Sequence, residues 1–187
     1  MIFDTHTHIS RKKFFRNIES SKKDSLAYEV MECTYDILSK RMLKNNITKS
    51  VIFPFPFEEA DLKQTNNYIV EAYNRNRELF VPFFLIGDDI DDSVIKQNRV
   101  MGFKEHFCLG KYEDQRYFNE HYDYLQQNKL FLLIHPHMSE RISKIKYLKK
   151  TFPDLKVILA HSGRKWPFTG DEVYDVILPE LSSYKNL

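Results

Sequence analysis

The sequence predicts an α/β fold of repeating βα units with about six parallel strands. Short apolar runs lack polar alternation, longer amphipathic stretches lie between them, and strand starts recur about every 30 residues, the size of one βα unit. Strands covered on both faces read as such continuous apolar runs.

In chain order, Ile2-Phe3 opens the first strand, which closes on Asp4-Thr5-His6-Thr7-His8. Val30, Cys33, Ile37, Leu38 and Leu43 recur at spacings near three and four, predicting a helix over 28–45. Ser50 to Phe53 forms the second strand, and Leu62, Tyr68, Ile69 and Tyr73 place the next helix over 61–78. Phe80 to Ile86 is the third strand. The acidic run Asp88-Asp89-Ile90-Asp91-Asp92 reads as a solvated loop with helix-start carboxylates, handing over to a short helix. Val100 to Phe103, Leu130 to Ile134 and Lys156 to Ala160 supply strands four to six. Helices over 113–128, 139–150 and 171–183 follow them, with Ser139-Glu140 as an N-cap region. No linker or low-complexity segment interrupts the pattern, so residues 1–187 read as one domain.

Composition narrows the function classes. The 187 residues are 42% hydrophobic and 14% aromatic, enough for a real core, which excludes wholesale disorder. Lys and Arg number 28 against 26 Asp and Glu, and a net charge of +2 gives no general electrostatic case for nucleic acid or membranes. There is no run of about 18 apolar residues to span a bilayer. The start Met1-Ile2-Phe3-Asp4 lacks the charged and apolar regions of a secretory signal. Cys33 and Cys108 make no spaced pair, as expected of a protein in the reducing cytoplasm, and neither has a neighbour that marks a nucleophile.

The chemistry gathers at strand ends. Side chains alternate along a strand, so His6 and His8 project to one face, where two imidazoles can converge on one divalent ion. Asp4 reads as a supporting group rather than a ligand. Lys104 and His106 follow the fourth apolar run, His135 the fifth and His161 the sixth. Four strands thus end in ionisable or metal-binding residues, at the end where βα folds build their sites. His137 lies past Pro136 in a loop, and His121 reads as helix surface. Arg11-Lys12-Lys13-Phe14-Phe15-Arg16, with Lys22-Lys23, lies in a long connection and reads as either an anion clamp or a solvated basic loop.

Phe3-Asp4-Thr5-His6-Thr7-His8, Gly102-Phe103-Lys104-Glu105-His106, Leu133-Ile134-His135-Pro136 and Leu159-Ala160-His161-Ser162-Gly163 together resemble the amidohydrolase superfamily of metal-dependent hydrolases. They are most similar to its branch around aminocarboxymuconate semialdehyde decarboxylase. Their order matches strands one, four, five and six of a (β/α)8 barrel. The resemblance implies a TIM-barrel-like fold, incomplete relative to (β/α)8, with strands seven and eight absent. It implies that His6, His8 and His135 bind one divalent metal, most often zinc, with manganese as the other choice. It makes His161 the residue that handles the proton of metal-activated water or of substrate. Lys104, His106 and Arg164 are then substrate-binding groups for a small anionic molecule, and Lys165-Trp166 a pocket wall. In other members a strand-four lysine is carboxylated and bridges two metals.

The superfamily's strand-eight aspartate has no match here: Asp171 and Asp175 fall in the helix after strand six. A complete barrel takes about 250 residues. Unpaired apolar edges imply a homo-oligomer or a chain supplying the missing strands. Hydrolysis or a related decarboxylation is the expected activity. A binding or regulatory protein descended from a hydrolase is the alternative from another class. A TatD-type metal-dependent deoxyribonuclease shares the His-x-His start, but places a glutamate where this chain has Lys104, and Glu105 is expected to face away.

Overall fold

The computed structural model describes residues 1–15, 31–56, 60–87, 89–106, 117–135 and 141–160. Arg16, Lys22, Lys23, Asp88, Cys108, His137, Ser139, Glu140, His161, Arg164, Lys165, Trp166 and the helix expected over 171–183 lie outside them.

The chain divides into two compact units, Met1–Met101 and Gly102–Leu187. The first holds β1 (Ile2–Ile9), a 3-10 turn (Lys12–Phe14), α1 (Tyr35–Lys44), β2 (Ile47–Pro54), α2 (Leu62–Arg75), β3 (Phe80–Leu85) and α3 (Asp92–Gln97). Its strands pair in parallel, β1 with β2 and β2 with β3. The second holds β4 (Gly102–His106), α4 (Asn119–Gln127), β5 (Phe131–His135), α5 (Arg141–Thr151) and β6 (Lys156–Leu159). Here β4 pairs with β5 and β5 with β6, again in parallel. Parallel neighbours need crossovers, and helices supply them. The fold class is the one expected, a TIM-barrel-like β/α repeat, with six parallel strands among the described residues.

Local chemistry sets the helix ends. Thr34 accepts a hydrogen bond from the Ile37 N–H, so α1 starts at Tyr35, later than the apolar spacing alone suggests. Asp61 caps α2 through the Gln64 N–H at 3.0 Å, and the Gln64 side chain returns to Asp61 at 2.9 Å. Asp91 caps α3 by accepting from the N–H groups of Ser93 and Val94, which bears out the helix-start reading of the acidic run.

Three helices end in one way. Asn45, Asn98 and Asn128 each donate from the side chain to the carbonyl four residues back. The next residues, Asn46, Arg99 and Lys129, take φ values of 55°, 50° and 57°, the left-handed turn that stops a helix and redirects the chain. That turn delays the fourth strand. It starts at Gly102 rather than Val100, so Lys104 and His106 lie within the strand instead of just after it.

Each unit has an apolar interior. Met42, Ile52, Phe53, Ile69 and Ala72 are fully buried in the first, and Tyr122, Leu125, Leu132, Ile134, Ile145 and Leu148 in the second. Asn66 is a buried polar exception with a structural use. Its side chain accepts from the Leu85 N–H at 2.8 Å and donates to the Leu85 carbonyl at 3.2 Å, completing the end of β3 as a neighbouring strand would. Among the described residues, no helix is long and apolar enough to cross a membrane.

Candidate functional site

His6 and His8 lie near the carboxyl end of β1, which is irregular there. Asp4 pairs with Ser50 and Thr7 with Ile52, so β1 uses one residue more than β2 over this step. Such a bulge re-aims side chains and takes a backbone group out of the ladder. The Asp4 carboxylate accepts the His6 N–H at 3.0 Å, which satisfies it. Asp4 is therefore a supporting group, as its sequence position suggested. Thr7 and Ser50 hydroxyls, 2.6 Å apart, hold the following register.

The ring centroids of His6 and His8 are 5.2 Å apart. Both rings meet the edge or face of Phe53, at 4.9 and 4.6 Å, and Phe55 lies 5.0 Å from His8. His8 Nδ1 is 3.1 Å from the Pro54 carbonyl oxygen. A carbonyl only accepts, so Nδ1 carries the proton and the lone pair stands on Nε2. A backbone carbonyl fixing the tautomer in this way is the usual support of a metal-binding histidine. Two imidazoles sharing a tetrahedral zinc have ring centroids about 5 Å apart, given Zn–N distances near 2.0–2.1 Å. The pair fits a divalent ion in spacing, and His8 fits one in tautomer.

In the second unit, Lys104 and His106 alternate with Phe103 and Glu105 along β4. His106 and His135 are partners across the β4–β5 ladder, with ring centroids 4.5 Å apart and planes at 84°. Lys104 is wholly buried. Burial pushes its ammonium from 10.5 down to about 7, against the opposing pull of the adjacent Glu105 carboxylate.

Glu105 turns to the helices. Tyr122 of α4 donates to Glu105 Oε2 at 2.6 Å, Lys144 of α5 lies 3.0 Å from Oε1, and the Lys144 ammonium donates to the Tyr122 hydroxyl at 2.7 Å. This buried triad went unread in the sequence, because its members are separated along the chain and only packing joins them. Its orientation also removes Glu105 as the strand-four metal-bridging glutamate of a TatD-type site.

Other expectations resolve more simply. Arg11 lies over the Tyr68 ring at 5.1 Å and Lys13 over the Phe14 ring at 5.6 Å, so the start of the basic stretch packs on α2. The cleft there, about 220 Å³, also admits Glu71 and so carries both signs of charge. His121 is half-buried against Phe103 and Phe118 rather than plain surface. Burial raises the Cys33 thiol, which disfavours the thiolate a nucleophile needs. Among the described residues, no group of three or more His, Cys, Asp or Glu side chains is gathered to hold a metal ion.

No family model matches the chain. No curated protein matches it. Solved structures do. A probable 2-pyrone-4,6-dicarboxylic acid hydrolase from Acinetobacter baumannii, with citric acid bound, aligns at a TM-score of 0.70 and 14% identity, over 93% of this chain and 63% of that one. A 5-carboxyvanillate decarboxylase from Sphingomonas paucimobilis aligns at 0.64 and 14% identity, over 87% and 68%. A protein described as amidohydrolase II aligns at 0.69 and 12% identity, over 96% and 70%. The chain thus spans about two thirds of the length of these structures. The chain is similar in fold to these structures, which agrees with the fold that its motifs' resemblance implies.

Proposed function

We propose that the protein is a cytoplasmic metal-dependent hydrolase acting on a small anionic substrate, with His6, His8 and His135 as ligands of one divalent ion, zinc or manganese. The observation that carries this reading is the His6–His8 pair, 5.2 Å apart on a bulged strand end, with the His8 tautomer held by Pro54. An ion in such a site lowers the pKa of bound water and polarises a carbonyl.

The chain's own residues do the remainder. Asp4 and the Thr7–Ser50 contact hold the bulge that aims the two imidazoles. Phe53 and Phe55 give those rings an apolar surround, which strengthens electrostatic interactions near them. His161 accepts or returns a proton, and Lys104 and Arg164 meet the substrate's anionic group. Carboxylates are the favoured substrates, since similar structures are of enzymes named for a dicarboxylic acid and a carboxyvanillate. Decarboxylation at the same site is the related chemistry.

Elemental analysis of protein purified without chelator tests this reading. Near-stoichiometric zinc or manganese is expected, lost in His6→Ala while the far-ultraviolet circular dichroism is kept. Wild-type protein without divalent metal, or His6→Ala with undiminished metal, sinks it.

A further inference from the structure

A second imidazole pair has the spacing of ligands. His106 and His135 face one another across the β4–β5 ladder as Cα partners, with ring centroids 4.5 Å apart. Zinc–nitrogen distances near 2.0–2.1 Å bring the centroids of two coordinating imidazoles to about 4.5–5 Å, for angles at the metal between square and tetrahedral. The pair comes from adjacent, in-register positions of one ladder, so it is held by backbone hydrogen bonding rather than by loop conformation. His106 is buried, so its ring is held in place within the unit.

We propose that His106 is a further protein ligand of the divalent ion assigned to His135, rather than a substrate-binding group. The inference rests on the metal-dependent reading above and adds a donor to it. Simple edge-to-face packing is the competing explanation, as the rings stand at 84°. Phenylalanine at position 106 would keep that packing and remove the nitrogens, so one substitution separates the two explanations.

The experiment is titration of metal-free full chain with Co²⁺ and Zn²⁺, read by the visible ligand-field absorption of cobalt and by competition with a chromophoric chelator. Wild type is expected to bind one ion. His106→Phe is expected to weaken binding about 100-fold or more, beyond the loss typical of a supporting group, and to change the cobalt spectrum. Should His106→Phe melt at a lower temperature than wild type, His106→Gln gives the same comparison in a polar side chain of similar reach. Unchanged affinity and spectrum in a folded position-106 variant overturn this inference and leave the His6, His8 and His135 assignment standing. Failure of wild type to bind either ion overturns both.

Discussion

Lys104 and Glu105 are neighbours on β4 with opposite fates. Lys104 is buried with its ammonium pushed down to about 7, whereas an unfolded chain would keep it near 10.5. Between these values the unfolded state binds more protons, so stability rises with pH through this window, by at most about 1.4 kcal/mol per pH unit. Lys104→Met is expected to flatten that rise in urea denaturation followed across the same range. Equal slopes in the two proteins would refute the assignment. Glu105 is buried against Tyr122 and Lys144. Lys144→Met leaves its carboxylate with Tyr122 alone, and a cost of about 3–5 kcal/mol is expected. Glu105→Leu combined with Lys144→Met should recover most of it, because no buried charge is then left over. A double substitution as unstable as the single one would show that the triad contributes more than charge pairing.

Helix-to-strand turns are the element-scale device of this fold. Arg99 and Lys129 hold left-handed backbone conformations that cost a non-glycine residue about 1–2 kcal/mol, whereas Asn46 adopts the same conformation with less strain. Arg99→Gly and Lys129→Gly are each expected to stabilise the protein, by up to about 1 kcal/mol after glycine's entropy loss, and Asn46→Gly by less. Thermal melts of the three variants check the order. In the sequence these turns are Asn45-Asn46, Asn98-Arg99 and Asn128-Lys129, which hydrophobic spacing did not single out. Helix periodicity placed the helices but not their limits, which depend on single caps such as Thr34 and Asp61.

At the scale of the whole molecule, Ile2 and Phe3 are about half exposed at the start of β1, and among the described residues β1 pairs with β2 alone. An apolar strand with an open edge recruits another strand. We propose self-association, or pairing with a chain that supplies further strands. Light scattering is expected to give a mass above that of one chain, falling towards it when Ile2 and Phe3 are both replaced by lysine. A wild-type monomer would rule the proposal out.

Apolar runs and helical spacing were enough to establish the β/α repeat, because burial on both faces of a parallel sheet leaves an unbroken apolar signature in each strand. The positions of His6, His8, His106 and His135 towards strand ends were legible for the same reason, whereas Lys104 lies in the middle of β4. Contacts between residues distant in sequence were not. The bulge that brings His6 and His8 together depends on β2, the Glu105–Tyr122–Lys144 triad on two helices, and the His106–His135 approach on ladder register. Strand patterning depends on each residue's own hydrophobicity, whereas these arrangements exist only once separate segments pack, so tertiary structure alone decided them.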